Sequence, residues 1–336
     1  MARLRRSDLS EPGIRRRRAG RGFIYLEPSG SRLHGGEALA RIRALAVPPA
    51  WIDVWICPWP QGHIQAVGTD AKGRRQYLYH QAWRERRDKE KFDRVLQFGR
   101  KLPKLRAAAD RDLGLEGMPR EKILACTLYL LDAGFFRIGG EEYAVENGSY
   151  GLASLGKQHA RVEGESVVFE YPAKSGRERI QSVVDPRIRQ IVTSLKRRRG
   201  RGCLLAYKGP DRWVELRSDE INAHIRATAG IEVTAKDYRT WNGTVLAAVA
   251  LAVSWPASRS PTSRKRAVQR AVKEVANYLG NTPAVCRRSY IDPRVIDLYM
   301  DGITIRHSLG RLADDPDAAL ATHGAAERAV LRLLDT

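Results

Sequence analysis

The stretch from Thr244 to Trp255, "TVLAAVALAVSW", is the strongest constraint on the fold. It carries no charge and, between Val245 and Val253, is apolar on nearly every helical face. A helix that is apolar all round has to be buried. It is also well short of the roughly 20 residues needed to cross a bilayer. The chain must therefore build a core around this segment. Arg239, in the preceding "AKDYRTWNG", opens the same helix and would be held rigidly in the interior of a cleft. With 336 residues and 43% hydrophobic side chains there is enough material for such a core, in one large or two ordinary domains.

The pattern along the chain divides in two. Residues 23–80 read as strands: "FIYLEPSG", "WIDVWICPWP", "HIQAVGTD" and "GRRQYLYH", the last two joined by a hairpin turn at Asp70–Gly73, with one helix at about Glu37–Ala46. From Gln81 the pattern becomes charged and helical. "PREKILACTLYLLDAGFF" is a further helix. "HARVEGESVVFEYPAKSGRERIQSVVD" forms short strands around two turns, and helices are expected over 186–199, 218–229, 238–255, 264–279 and 292–300. The expectation is an α+β protein. Residues 1–88 hold a basic arm and a small β-rich N-terminal domain, and 89–336 a larger, mainly α-helical domain whose acidic tail after Arg311 is peripheral.

Net charge is +21 at neutral pH, of which residues 1–22 supply +6 through eight arginines opposed by Asp8 and Glu11. So large an excess points to a polyanionic partner. The run Arg15–Arg18 by itself reads as a solvated arm. The cysteines at 57, 126, 203 and 286 form no CxxC pair, so neither a zinc knuckle nor a redox dithiol is present, and Cys126 and Cys203 look like core residues. The basic N-terminus lacks the apolar segment of a signal peptide. A cytoplasmic setting with nucleic acid as partner, and no membrane, is the expectation.

"GLASLGK" (Gly151–Lys157) has the glycine and lysine spacing of a phosphate-binding loop. However, Gln158 stands where Ser or Thr would hold magnesium, and the segment leads into strands. With no histidine pair, HExxH or GxSxG, chemistry without metal, nucleotide or other cofactor is expected.

Cleaving a phosphodiester requires an oxygen nucleophile, positive charge on the non-bridging oxygens and a proton for the leaving oxygen. Tyrosine, arginine and lysine suit these three tasks. Candidates at loops and helix ends are Arg137 in "FFRIGGEEY", Lys174 in "YPAKSGRE", Arg239, and "LGNTPAVCRRSYIDP" with Arg287, Arg288 and Tyr290. A single arginine is ordinarily a surface residue, and a single turn lysine ordinary turn chemistry. The set carries the argument.

Taken in order, "FRIGGEEY", "AKSGRE", "AKDYRTWNGTVLA" and "LGNTPAVCRRSY" resemble a type IB DNA topoisomerase of the poxvirus-like and bacterial branch, over roughly Arg15 to Tyr299. The resemblance implies a clamp around double-stranded DNA, acting as a monomer associated with the nucleoid. It also implies relaxation of supercoils through a 3′-phosphotyrosyl intermediate, without ATP or metal. Tyr290 would be the nucleophile, Arg137 and Arg239 the clamp on the non-bridging oxygens, and Lys174 the general acid. Asn281 falls where poxvirus members carry a histidine; its amide can donate the same hydrogen bond but cannot ionise. Lys236 would be an auxiliary cation, and Gln76, Tyr77, Tyr79 and Tyr143 DNA-contacting residues, with Arg287 and Arg288 holding the nucleophile near phosphate. Two rivals stand beside this reading. A tyrosine recombinase would usually have histidine where Lys236 stands and a helical N-terminal domain. A non-catalytic basic DNA-binding protein would leave the ordered Arg–Lys–Arg–Tyr set without a role.

Overall fold

The computed structural model describes residues 3–140, 148–257, 260–309 and 323–335. The chain forms two compact units, Met1–Phe92 and Asp93–Thr336. They have separate hydrophobic cores.

The first unit is built on a five-stranded antiparallel sheet in the order β2-β1-β3-β4-β5. Its strands are β1 (Ile14–Ala19), β2 (Gly22–Leu26), β3 (Ile52–Ile56), β4 (Ile64–Thr69) and β5 (Arg75–Tyr79), with helix α1 (Gly36–Ala44) between β2 and β3. Ile14, Ile42, Val54, Ile56 and Ala66 form its core. The expected solvated arm is instead strand β1. In "IRRRRA" alternate residues share a face, so Arg16 follows the buried Ile14 inward. Its guanidinium donates to the carbonyls of Val47 (2.9 Å), Pro48 (3.0 Å) and Trp51 (2.6 Å) and lies 4.2 Å from the Phe23 ring centre. Upstream, Arg5 exchanges backbone hydrogen bonds with Gln61 and His63, both 2.9 Å. Charge counting misled here because a guanidinium can satisfy buried carbonyls while its stem packs on an aromatic ring.

Helix α2 (Gln81–Leu113) contains the division between the units. The second unit continues with α3 (Arg120–Ala133) and a three-stranded antiparallel sheet of β6 (Ala160–Glu163), β7 (Ser166–Ala173) and β8 (Arg177–Val184). Next come α4 (Pro186–Lys196), a hairpin of β9 (Ala206–Lys208) and β10 (Trp213–Glu215), and α5 (Ser218–Ala229). The remaining helices are α6 (Ala235–Ser254), α7 (Pro261–Leu279), α8 (Pro283–Ser289), α9 (Pro293–Met300), α10 (Arg306–Leu309) and α11 (Ala325–Leu334). The uniformly apolar helix is α6, and it is central as its composition demands: α3, α7, α9, α10 and α11 all pack against it. The architecture is the α+β one expected, β-rich first and helical second. Among the described residues no helix is long and apolar enough to cross a membrane. Cys126 is fully buried, whereas Cys203 is only half-buried.

The C-terminal segment is not peripheral. Ala326, Ala329, Val330, Leu333 and Leu334 of α11 are buried in the main core, together with Glu327. Arg106 of α2 bridges Glu327 (2.6 Å) and Asp132 (2.6 Å), and the indole of Trp241 donates to Glu327 at 2.9 Å. The acidic residues that suggested a surface tail lie outside the described residues. The helical spacing of 326, 330, 333 and 334 was the signal that mattered.

Candidate active site

The site is organised by the C-terminus of α7. Gly280 adopts a left-handed conformation (φ 60°). Its amide donates to Asn277 O (3.1 Å) and the Asn281 amide to Ala276 O (2.9 Å). This is a Schellman ending, which sets the direction of the chain as it leaves the helix. Three carbonyls beyond those two are taken by arginines from three other elements. Arg179 of β8 donates to Tyr278 O (2.6 Å), Arg239 of α6 to Leu279 O (2.6 Å) and Arg137 to Gly280 O (2.7 Å). Helix-terminal carbonyls carry partial negative charge, so they gather cations that would otherwise repel one another.

Arg137 lies in the loop after α3, and two glycines fix it there. A side chain on Gly139 (φ 72°) would begin 2.6 Å from the Gly151 Cα, so the two backbones touch. Leu152 N–H then donates to Arg137 O (2.8 Å) and Ala153 N–H to Ile138 O (2.7 Å). "GLASLGK" therefore supports the Arg137 loop, and Lys157 is spent on the carbonyls of Arg198 (2.6 Å) and Gly200 (2.5 Å). Arg137 also donates to Asn281 Oδ1 at 2.6 Å. A guanidinium can only donate, so the amide oxygen must face it. That leaves Asn281 Nδ2, buried and without a protein partner, as an open donor.

Arg239 is 3% exposed and sits in the first turns of α6. The Thr234 amide, bonded to Asp237 Oδ2 at 2.8 Å, fixes the start of that helix. Arg239 also donates to Phe135 O, on a residue held at φ 55°, while its own Nε is buried without a partner. Burial first, and then the Arg137 charge, draw its guanidinium down to about 10. It remains charged at neutral pH.

Tyr290 ends α8, with its ring centre 5.4 Å from the Arg239 guanidinium carbon. One helical turn beyond Arg239, α6 holds the backbone of Tyr290. A Cβ on Gly243 would lie 2.8 Å from Tyr290 O. The Thr244 hydroxyl accepts from the Asp292 amide (3.1 Å), donates to Thr240 O (2.8 Å) and lies 3.4 Å from Tyr290 O. The helix expected from residue 292 is there: Asp292 caps α9, and Pro293 opens it. A single helix thus positions both Arg239 and Tyr290.

Lys174 is exposed in the turn between β7 and β8, and Lys236 is exposed at the start of α6. Arg287 and Arg288 are exposed in the last turn of α8. In the first unit, Tyr77 and Tyr79 stack with ring centres 6.0 Å apart on the face of β5 that also carries Arg75. Gln76 faces the other way and donates to Asp70 at 2.9 Å, so it does not join that surface. Tyr143 lies outside the described residues. Reading the sequence missed Arg179, Gly243 and the Gly139–Gly151 contact. A glycine inside an otherwise apolar helix was an available signal for Gly243.

Among the described residues no cluster of His, Cys, Asp and Glu could hold a metal ion. What the site presents is a half-buried tyrosine beside the Arg239 guanidinium, with the Arg137 guanidinium, one open amide donor and one open guanidinium donor at the same helix end. It is suited to an oxyanion with several oxygens.

Comparison with known proteins identifies the class. Residues 80–305 match the family model described as eukaryotic DNA topoisomerase I, catalytic core. Residues 22–70 match that of the bacterial DNA topoisomerase IB, N-terminal domain. The chain is 30% identical over 297 residues to DNA topoisomerase 1B of Acanthamoeba polyphaga mimivirus, covering 86% of this chain and 88% of the relative. It is 23% identical over 238 residues to DNA topoisomerase 1B of Vaccinia virus (strain Copenhagen), covering 70% and 72%. With DNA topoisomerase 1 of Rabbit fibroma virus (strain Kasza) the identity is 23% over 232 residues, covering 69% and 70%. The helical unit is thus a DNA topoisomerase I catalytic core. The chain belongs to the type IB DNA topoisomerase family, as its ordered motifs implied.

Proposed function

We propose that this protein relaxes supercoiled duplex DNA by breaking and rejoining one strand at a time. The observation that supports this best is the meeting of Arg137, Arg239, Asn281 and Tyr290 around the end of α7. In this reading a phosphate displaces the carbonyls that now hold the arginines. Tyr290 Oη bonds to phosphorus and its proton passes to solvent. The bond to the 5′-oxygen breaks, and that oxygen takes a proton from Lys174. Arg137 and Arg239 hold the non-bridging oxygens, with Asn281 Nδ2 as a neutral donor to one of them and Lys236 as an outer cation. A phosphodiester is exchanged for a tyrosyl phosphodiester, so rejoining needs no ATP.

The freed 5′-hydroxyl strand swivels about the intact one, driven by the supercoil, while both units embrace the duplex as a monomeric clamp. Tyr77, Tyr79 and Arg75 offer a basic aromatic strip to the DNA. Arg287 and Arg288 hold the nucleophile segment near the backbone. Association with the nucleoid follows from the charge. A recombinase is the weaker reading, because Lys236 stands three residues before Arg239 and the first unit matches a topoisomerase domain. Plasmid relaxation without ATP and with excess chelator, alongside Tyr290→Phe, is the test. The reading requires that the wild type relax both signs of supercoil and leave a covalent 3′ adduct on denaturation. The Phe variant should bind DNA and do neither. Relaxation by the Phe variant, or its loss on chelation, would overturn it.

A further inference from the structure

We propose that Arg179 is a positioning residue for cleavage: it docks the tip of the β7–β8 hairpin on the end of α7 and so places Lys174 against the Tyr290 segment. This rests on the general-acid reading of Lys174 given above.

The hairpin is registered from Ser166↔Val184 to Ala173↔Arg177, with Lys174–Gly176 as its turn. Deep in the hairpin the inner face is held by the core. Val183, Gln181 and Tyr171 are buried, and Gln181 donates to Gly134 O. Arg179 is the next inward residue toward the turn, opposite Tyr171. It leaves the core and crosses to α7, donating to Asn277 O (3.2 Å) and Tyr278 O (2.6 Å). Its side chain also lies over Gly280, where a Cβ would meet Arg179 Nη1 at 3.1 Å. A side chain at 280 would be strained by the left-handed backbone and would make Arg179 give by a few tenths of an ångström. The contact therefore joins three things: the turn bearing Lys174, the glycine that ends α7, and Asn281 immediately after it.

A lysine could not replace this bridge, because one ammonium cannot span two successive carbonyls with a planar fork. Nor does Arg179 need to touch DNA to matter. A general acid works only within hydrogen-bond reach of the oxygen it serves. Among the described residues the exposed turn has no other side-chain tether to α7.

The leaving oxygen separates a positioning role from a merely structural one. We would measure single-turnover cleavage of a duplex with an ordinary 5′-oxygen at the scissile bond and of one with a 5′-bridging sulfur, which leaves without a proton. Wild type, Arg179→Ala, Arg179→Lys, Lys174→Ala and Arg239→Ala would be compared, with thermal melting of each. If Arg179 acts through Lys174, both Arg179 variants slow cleavage of the oxygen substrate about tenfold or more. On sulfur they return to within about threefold of wild type, as Lys174→Ala does and Arg239→Ala does not. An equal defect on both substrates, or none on either, overturns the inference while leaving Lys174 as the acid. Failure of sulfur to rescue Lys174→Ala overturns the general-acid reading itself, and this inference with it. Should Arg179→Ala melt too low to assay, Arg179→Lys, which keeps the charge and the stem, decides alone.

Discussion

Arg239 and Leu279 are 40 residues apart, yet a guanidinium N–H donates to the carbonyl at 2.6 Å and is buried there. This contact brings the first turns of α6 to the last residue of α7. On it the other site contacts converge, since the residues on either side of Leu279 receive Arg179 and Arg137.

Asn281→Asp keeps the acceptor that Arg137 uses, removes the amide donor and adds a negative charge beside the phosphate position. Adduct formation in a single turnover should fall roughly 10²-fold or more, the scale of losing one preorganised transition-state donor. Asn281→Ala should lose less, because it brings no charge. An Asp variant as fast as wild type would remove Asn281 from the chemistry.

Gly243→Ala sets two effects against each other. Alanine favours a helix interior by about 1 kcal/mol over glycine, but the new Cβ would lie 2.8 Å from Tyr290 O and 3.2 Å from Leu279 Cδ1. Melting should change little, while cleavage slows by about tenfold or more through displacement of Tyr290. A loss of stability with an unchanged cleavage rate per folded molecule would contradict this.

Acid should weaken the second unit through Asp132. Burial pushes its carboxyl up, but His323 at 3.5 Å and Arg106 more than offset this and bring it to about 2. The folded value lies below the ordinary one. The stabilisation is therefore complete above the usual carboxylate range and is lost as pH falls from about 4 through about 2. The loss should be on the order of 2 kcal/mol. Denaturant unfolding across this range, in wild type and Asp132→Asn, measures it. Identical slopes in the two proteins would assign the acid sensitivity elsewhere.

Salt should act on DNA binding before it acts on the fold. If about six to ten phosphates are neutralised, affinity should drop by roughly 10³- to 10⁵-fold between about 50 and 200 mM salt. A shallow slope in a filter-binding or anisotropy titration would mean that the +21 charge is not directed at DNA.

Much of this site was legible because its chemistry sits on residues that punctuate the chain. Gly280 announced the end of α7, Arg239 opened a helix that had to be buried, and Tyr290 preceded an Asp-Pro start. What stayed hidden depends on groups a sequence does not display. The partners of Arg179 are backbone carbonyls 98 and 99 residues away, so nothing nearby marks it out from other arginines. Arg16 looked like part of a solvated arm because charge was read before strand alternation. Nothing marked Glu327 as buried, because its partner, Arg106, is 221 residues earlier. Gln76 was grouped with Tyr77 although adjacent residues of a strand point to opposite faces.

If a phosphate draws Arg137 and Arg239 from the carbonyls that hold them, as proposed above, those carbonyls also set a threshold for what can occupy the site. Each hydrogen bond to a charged group is worth about 1.5–3 kcal/mol, and an incoming anion has to replace those made by the arginines it recruits. A lone inorganic phosphate brings one centre of charge and nothing to offset that exchange. A DNA strand brings neighbouring phosphates, whose contacts elsewhere on the protein raise the local concentration of the one at the centre. The resting contacts thus filter by valency. Phosphate buffer should slow cleavage no more than chloride of equal ionic strength, and a short oligonucleotide should compete far better than its phosphate count alone would suggest.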